Sequence, residues 1–145
     1  MSVEVVIEQV ATPELRDALN RLLPQLSSSA PPLGDTDVVG LTSNPDVDLF
    51  IARHHGVAVG TLTLVSFAIP SGQRAWIEDV IVDEGSRGLG IGAALTLAAI
   101  GEARRRGVRT IDLTSRPSRT AANALYRKLG FEVRDTNVYR FFIES

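Results

Sequence analysis

Cysteine is absent from this chain, and Lys128 is the one lysine among its fifteen Lys and Arg residues. Without cysteine the chain has no disulfide, no thiolate metal site and no covalent thiol intermediate in a group transfer. The two histidines and the acidic residues show no metal-ligand spacing, so we expect no metal site. These absences leave chemistry that works through carboxylates, phenols, amides and the backbone.

Long hydrophobic runs are also missing. The most apolar helical stretch, residues 91–100, is far shorter than the roughly 20 residues of a membrane span. The N-terminal residues 1–4 show no charged region followed by an apolar stretch, so we expect no signal peptide and a cytoplasmic protein. A net charge of −2 and a pI near 5.7 provide no basic field for nucleic acid.

The length of 145 residues fits one compact domain, which we place at residues 1–145. Hydrophobic periodicity and turn residues predict seven strands and three helices along the chain. The predicted strands are 3–7, 47–53, 57–67, 76–82, 110–114, 131–133 and 138–143, and the predicted helices are 13–26, 91–106 and 120–129. Thr12 is the expected cap of the first helix with Pro13 in its first position, and Gly107 is expected to close the second after its Arg-rich end. Residues 27–45 are predicted to be an irregular loop on the substrate side. The order of elements predicts a mixed α+β fold.

Three glycines stand at the junction between the strand 76–82 and the helix 91–106, in the run Arg87-Gly88-Leu89-Gly90-Ile91-Gly92. Glycine lets the backbone turn tightly and approach a ligand, and a helix N-terminus directs unpaired N–H groups at an anion. Arg87 adds a positive charge at the same place. The run therefore predicts a site for a phosphorylated cofactor.

Two known phosphate motifs fit this run poorly. Gly88, Gly90 and Ala93 satisfy the dinucleotide pattern, and Asp112 follows about twenty residues later. That motif normally opens its fold on the first strand, whereas here too few residues follow for a doubly wound sheet. A P-loop needs Gly-Lys-Ser/Thr after the glycines, and none is present.

A third interpretation comes from the neighbouring residues. Arg87-x-x-Gly90-x-Gly92 resembles the Arg/Gln-x-x-Gly-x-Gly/Ala signature of the GNAT superfamily of N-acetyltransferases. Residues 121–131, Ala-Ala-Asn-Ala-Leu-Tyr-Arg-Lys-Leu-Gly-Phe, resemble the family's second coenzyme-binding helix. The resemblance covers about residues 76–131 and implies a GNAT-like, mostly antiparallel central sheet with helices on both faces.

The resemblance also implies the cosubstrate and its contacts. Acetyl-CoA would place its pyrophosphate on the loop and its pantetheine arm along the backbone of the preceding strand. The implied cofactor-binding residues are Val80, Ile81, Val82, Arg87, Gly88, Leu89, Gly90, Ile91, Gly92 and Asn123. The implied reaction is direct transfer of an acetyl group to an amine, which the missing cysteine suits.

Asn123 and Tyr126 lie three residues apart, so one face of a helix can present an amide and a phenol to the same ligand. By resemblance Tyr126 is the general acid that protonates or hydrogen-bonds the coenzyme sulfur, and Asn123 contacts the pantetheine chain. The alternative for Tyr126 is a ring packed in the core with its hydroxyl at the edge.

Glu78 is the candidate base, chosen over Asp79, although water alone could also accept the amine proton. Strand alternation places Glu78 on the face of Val80 and Val82, and Asp79 on that of Ile81, unless a bulge swaps them. A structural or solvent-facing role remains open for both carboxylates.

Other polar residues have less specific interpretations. His54 and His55 are interpreted as solvated turn residues, and Trp76 as a packing residue or a substrate wall. Arg116 and Arg119 could meet coenzyme phosphates or lie free on the surface.

The chain is therefore predicted to be an N-acetyltransferase of unknown amine substrate, small molecule or protein. A noncatalytic acyl-CoA-binding domain is the alternative from another class, and a nicotinamide dehydrogenase is a weaker one. Pairing of C-terminal strands could produce a homodimer.

Overall fold

A computed structural model describes residues 2–144, whose internal contacts divide at Thr114 into two compact units. The first unit contains a five-stranded sheet in which every strand neighbours the next one in sequence. Its strands are β1 (Val3–Ile7), β2 (Val47–His54), β3 (Val57–Ile69), β4 (Gly72–Val82) and β5 (Thr110–Asp112). β1 to β4 pair antiparallel and β5 pairs parallel to β4. The predicted mixed, mostly antiparallel sheet is confirmed.

Three helices belong to this unit: α1 (Pro13–Leu22), α2 (Asp35–Thr42) and α3 (Ile91–Arg105). α1 begins as predicted, because the Thr12 hydroxyl accepts a hydrogen bond from the N–H of Leu15 at 3.1 Å and Pro13 occupies the first turn. The α-helix is shorter than expected: it ends at Leu22 and continues as a 3₁₀ turn over Leu23–Gln25.

α2 was not predicted, and the irregular loop expected over residues 27–45 is wrong in its second half. Two valines, two threonines and Gly40 give this segment low helix propensity and no clear apolar stripe. The helix forms because the Asp37 carboxylate accepts a hydrogen bond from the N–H of Gly34 at 2.8 Å and Val38 is buried. Tertiary packing therefore outweighs the local propensity.

The helices cover both faces of the sheet, as expected. Strand alternation sends Leu49 and Ile51 of β2 to one face, where they pack with Leu15 and Leu19 of α1. The opposite face meets α3, whose side chains lie directly over Gly60 of β3. The core of this unit is thus divided into two layers, one on each side of the sheet.

Gly60 marks the closest approach of the sheet to α3. A Cβ at this position would lie 2.9 Å from Cγ2 of Ile91, 3.1 Å from Cδ1 of Leu95 and 3.1 Å from the carbonyl oxygen of Ile81. Because a β-branched side chain and a backbone atom move little, we expect Gly60→Ala to lower the free energy of unfolding by about 1–3 kcal/mol.

Gly40 is the matched control, since a Cβ added to this helical glycine meets nothing within 4 Å. Gly40→Ala should leave the stability unchanged or raise it by up to about 1 kcal/mol. Urea titrations of both variants make the comparison, and equal stabilities for the two would show that the approach of α3 to the sheet is not tight.

The C-terminal end of α3 is held to the sheet by Arg106. Its Nη2 donates to Oδ1 of the buried Asp48 at 3.0 Å and to the carbonyl oxygen of Pro45 at 2.7 Å. Its Nε donates to Oε2 of Glu102 at 3.1 Å. The same Nε lies 2.8 Å from Oδ2 of Asp48, and this contact is an ion pair without a directed hydrogen bond. Gly107, with a φ of 74°, closes the helix as the sequence predicted.

Glu102 forms hydrogen bonds with Arg105 and Arg106, and these contacts make the stability of the fold depend on pH. A hydrogen bond from Arg105 is the main cause that lowers the pKa of Glu102 below 4.5, and Arg106 contributes as well. A carboxylate whose pKa is lower in the folded state stabilises the fold above its unfolded pKa and loses that contribution as the pH falls.

We therefore expect the free energy of unfolding to fall as the pH drops from about 5 to about 3. Glu102→Gln should show a shallower fall, whereas the matched control Glu132→Gln, at an exposed position, should follow the wild type. Urea midpoints across this range provide the measurement, and an unchanged slope in Glu102→Gln would contradict the assignment.

The second unit contains one helix, α4 (Thr120–Lys128), close to its predicted bounds. The strands predicted at 131–133 and 138–143 are not formed, and the apolar side chains of this segment are exposed: Val133, Val138, Tyr139, Phe141, Phe142 and Ile143. A strand needs a hydrogen-bonded partner, and the segment has none within residues 2–144. No helix in the described part of the chain has both the length and the apolar character to cross a membrane.

Candidate functional site

The glycine run connects β4 to α3 through a sequence of distinct backbone conformations. A 3₁₀ turn over Glu84–Ser86 is followed by Arg87 in extended conformation. Gly88 and Gly90 then adopt left-handed φ angles of 83° and 77°. These values strain any residue with a Cβ, so glycine is needed here for backbone geometry. A Cβ on either glycine would meet nothing within 4 Å, which shows that the space beside the loop is open.

The first turn of α3 leaves backbone donors unpaired at this loop. The helical ladder starts with the N–H of Ala94, which donates to the carbonyl oxygen of Gly90 at 3.0 Å, and no side chain caps the helix. The N–H groups of Ile91, Gly92 and Ala93 therefore precede that ladder at the positive end of the helix. Together with the exposed Arg87, they suit the pyrophosphate of a coenzyme.

Arg87 itself is uncommitted. Among residues 2–144 no ion pair involves its guanidinium, whereas Arg16, Arg21, Arg53, Arg105 and Arg106 all pair with carboxylates. The charge of Arg87 is therefore available to an anion from solution.

β4 has a free edge just before the loop. β5 pairs only with Arg74, Ala75 and Trp76, so within the described residues the rest of β4, up to Val82, has no strand partner on that side. The backbone N–H and C=O groups on this edge can hydrogen-bond an extended ligand that carries amides. Val80, Ile81 and Val82, the residues implied for the pantetheine arm, lie on this free stretch.

A β-bulge interrupts the same stretch. Thr63 of β3 pairs with Glu78 and Thr61 pairs with Ile81, so Asp79 and Val80 together oppose one residue of β3. Asp79 has a φ of 49°, which is uncommon for a residue other than glycine. The bulge changes the alternation of β4 at its C-terminal end.

The expectation that Glu78 lies on the same face of β4 as Val82 is therefore wrong. Because directly paired residues share a face, Glu78 lies with Thr63 and Ile81, whereas Val82 pairs with Gly60 and faces α3. Without the bulge Glu78 and Val82 would share a face. Glu78 is exposed, on the face that α1 and α2 cover further along the sheet, and the half-buried Trp76 lies two residues before it on the same face.

Tyr126 and Asn123 lie in the second unit, on α4. Tyr126 is 8% exposed and packs edge-to-face with Phe131, with ring centroids 5.8 Å apart. Burial raises the pKa of Tyr126 above 10, and the charge of Arg119 offsets part of that effect. The phenol therefore keeps its proton at neutral pH and can act as a donor.

Asn123 has a contact inside its own unit. Its Nδ2 donates to the carbonyl oxygen of Arg116 at 2.9 Å, which closes the segment that leads into α4. The amide oxygen is not used in this bond. Arg116 and Arg119 are exposed.

The structure brings together one group of the predicted residues on consecutive backbone, namely Glu78, Val80, Ile81, Val82 and the loop from Arg87 to Gly92. Asn123 and Tyr126 form a second group on α4.

His54 and His55 lie at the hairpin between β2 and β3, with ring centroids 4.1 Å apart. No group of three or more His, Cys, Asp or Glu residues in the described chain could hold a metal ion.

The sequence did not predict two contacts made at the entry to the loop. Arg21 and Gln25, at the C-terminal end of α1 and in the following turn, both bond to Asp83 at the end of β4. They lie about sixty residues from their partner, and no short-range pattern marks such a pair.

Comparison with known proteins places these features in context. The model of the Acetyltransferase (GNAT) family matches residues 13–131. A mycothiol acetyltransferase from Saccharomonospora viridis is 44% identical over 57 residues, which are 39% of this chain and 19% of that protein. An N-alpha-acetyltransferase MAK3 from Arabidopsis thaliana is 31% identical over 96 residues, or 66% of this chain and 50% of that protein.

A crystal structure of an acetyltransferase from Trypanosoma brucei has the same fold, with a TM-score of 0.79 at 24% identity. The match covers 97% of this chain and 100% of that one. The chain spans one half or less of the length of the two curated relatives described above.

Proposed function

Because this chain belongs to the GNAT family of acetyltransferases, we propose that it transfers an acetyl group from acetyl-CoA directly to an amine. One observation carries the proposal: a glycine loop with unpaired helix N–H groups and an uncommitted Arg87 directly follows a strand with a free backbone edge. These are the two features that a long ligand with a pyrophosphate and an amide-containing arm requires.

The site residues take the following roles in this proposal. The loop from Arg87 to Gly92 holds the pyrophosphate, and the backbone of Val80, Ile81 and Val82 holds the pantetheine arm, with Asn123 as a further contact. The family match over residues 13–131 includes parts of both units, which supports residues 1–145 as one acetyltransferase domain.

The chemistry requires a neutral amine and a proton for the departing sulfur. The amine nitrogen attacks the thioester carbonyl carbon, a C–N bond forms, and the C–S bond then breaks. The nitrogen loses one proton to Glu78 or to water, and the sulfur gains one proton from Tyr126, which solvent then reprotonates. No acyl-enzyme forms, in keeping with a chain that has no cysteine.

Glu78 is proposed as the base because it is exposed on a sheet face beside Trp76, where an amine from solution can reach it. We expect Glu78→Gln to lower kcat/KM for the amine about tenfold or more at pH 7, while affinity for acetyl-CoA is unchanged. The loss should shrink as the pH rises and the amine deprotonates without help. A loss that is the same at every pH would assign Glu78 a structural role.

The acceptor is proposed only as an amine. The relatives are named for a mycothiol acetyltransferase and an N-alpha-acetyltransferase, so both small-molecule and protein amines are candidates. The deciding experiment measures thiol release from acetyl-CoA with a colorimetric thiol reagent across polyamines, aminoglycosides and peptide α-amines. The protein contributes no thiol background, because it has no cysteine.

The second candidate is a noncatalytic acyl-CoA-binding domain, which needs the loop but neither acid nor base. Calorimetric binding of acetyl-CoA without turnover of any amine would favour it. Binding of NAD without any response to coenzyme A would instead support a dehydrogenase and overturn the proposal.

We further propose a homodimer in which the exposed apolar segment after Phe131 pairs with a second copy. Six large apolar side chains, three of them aromatic, are exposed within it. Such a concentration is unusual for a free surface. Light scattering should then give twice the chain mass of 15.6 kDa, and Phe141→Asp should return the monomer mass. The cytoplasmic location stays a prediction.

A further inference from the structure

Asp83 is the residue at which β4 leads into the glycine loop, and it is held from several directions. Its N–H donates to the carbonyl oxygen of Val59 at 2.8 Å, and its carbonyl oxygen accepts from the N–H of Ser86 at 2.9 Å. Its carboxylate accepts from Nη1 of Arg21 at 3.1 Å through Oδ2 and from Nε2 of Gln25 at 3.0 Å through Oδ1.

Gln25 makes a second bond to the same turn. Its Oε1 accepts from the N–H of Glu84 at 3.0 Å, so one amide side chain holds two consecutive residues of the loop entry. Arg21 is itself fixed by a hydrogen bond to the carbonyl oxygen of Ala58 in β3. These contacts join the end of α1, the sheet and the start of the loop into one bonded set.

We infer that Gln25 and Arg21 are positioning residues for the pyrophosphate loop and act on it through Asp83, and that Gln25 also acts through the N–H of Glu84. Only three residues separate Asp83 from Arg87, so a shift of Asp83 displaces the arginine and the glycine amides that follow. α1 is a firm base for such a contact, because Leu15, Leu19 and Leu22 anchor it in the core. The inference rests on the proposed use of this loop for coenzyme A.

The directed hydrogen bonds from Arg21 and Gln25, more than the charges of Arg21 and Asp83, hold the start of the loop in place. The Arg21 and Asp83 side chains are 44% and 27% exposed, and ion pairs with such exposure contribute little to stability. Gln25 carries no charge, yet it makes two directed bonds that need both its oxygen and its nitrogen. The expected consequence of losing them is a misplaced loop in a protein that still folds.

The test compares coenzyme A affinity, measured by calorimetry, in wild type and in Gln25→Leu. The leucine has similar volume and removes both hydrogen bonds, so we expect the Kd for coenzyme A to rise about tenfold with little change in Tm. Arg21→Met should act in the same direction. The matched control is Arg16→Met on the same helix, since the ion pairs of Arg16 are with Asp17 and Asp35 and not with the loop entry.

Pantetheine provides the readout that a merely structural role would not produce. This fragment lacks the pyrophosphate, so Gln25→Leu should leave its Kd unchanged while coenzyme A binding weakens. Equal weakening of both ligands would assign Gln25 to overall stability and overturn the inference.

A double-mutant cycle tests the route through Asp83. The effect of Gln25→Leu on coenzyme A binding should be smaller in an Asp83→Ala background than in the wild type. Full additivity would overturn the route. If wild-type protein binds no coenzyme A, the proposed function fails; if it binds and Gln25→Leu binds equally well, only this inference fails.

Discussion

Replacing Tyr126 with phenylalanine should lower kcat about 100-fold or more while the Kd for acetyl-CoA changes less than about twofold. The variant keeps the ring that packs against Phe131 and loses only the hydroxyl, so the fold and the cosubstrate contacts should persist. What disappears is the proton that we propose for the departing sulfur. Steady-state rates with a responsive amine, together with calorimetry, separate these two quantities.

Tyr139 provides the matched control. It is the other tyrosine of the chain and is 88% exposed, so Tyr139→Phe should leave kcat unchanged. An unchanged kcat in Tyr126→Phe would remove Tyr126 from the mechanism and leave it as a packing residue.

The pH profile gives a further check on Tyr126. Because burial raises the pKa of Tyr126 above its ordinary value, the phenol stays protonated, and therefore competent as a donor, from pH 7 to about 9. The wild-type kcat should show no decline in that range. A decline near pH 8 that Tyr126→Phe abolishes would contradict the raised pKa.

Substitution of Gly90 by valine should produce the second large effect, a rise of at least about tenfold in the Kd for coenzyme A. Gly90 has a φ of 77°, and a β-branched residue held there costs about 1–3 kcal/mol. If the loop relaxes, the helix N–H groups and Arg87 move and affinity is lost. The part of the strain that the loop does not relax lowers the free energy of unfolding as well.

Gly85 is the control within the same connection. It does not adopt a left-handed φ, and a Cβ there meets nothing within 4 Å, so Gly85→Val should change neither coenzyme A affinity nor stability appreciably. Calorimetry and urea titration of the two variants form the comparison. Wild-type values for both quantities in Gly90→Val would show that the left-handed geometry is not required.

Local patterns predicted those elements in which local and tertiary preferences agree. Thr12 and Pro13 mark the start of α1, and the Arg-rich end with Gly107 marks the end of α3, because capping depends on residues close in sequence. The glycine loop was predictable for the same reason, since its left-handed backbone requires glycine at particular positions. α2 was missed because Val38 gains its stability from a buried contact that its neighbours do not reveal.

The face of Glu78 shows a different limit. Strict alternation would place it with Val82, but two residues of β4 oppose one residue of β3, and the bulge reverses the alternation. The register of two strands is a joint property of both, so neither strand alone indicates where a bulge forms. The predicted C-terminal strands fail for a related reason: an alternating apolar segment becomes a strand only when a partner edge is available.

The amino-acid sequence by itself determined the mostly antiparallel α+β class, the glycine loop and the likeness to acetyltransferases, because each depends on residues near one another in the chain. The tertiary structure alone decided that β4 has a free edge, that Glu78 faces away from α3, and that Arg21 and Gln25 hold Asp83. These features join residues tens of positions apart, and their positions depend on how strands pair and helices pack.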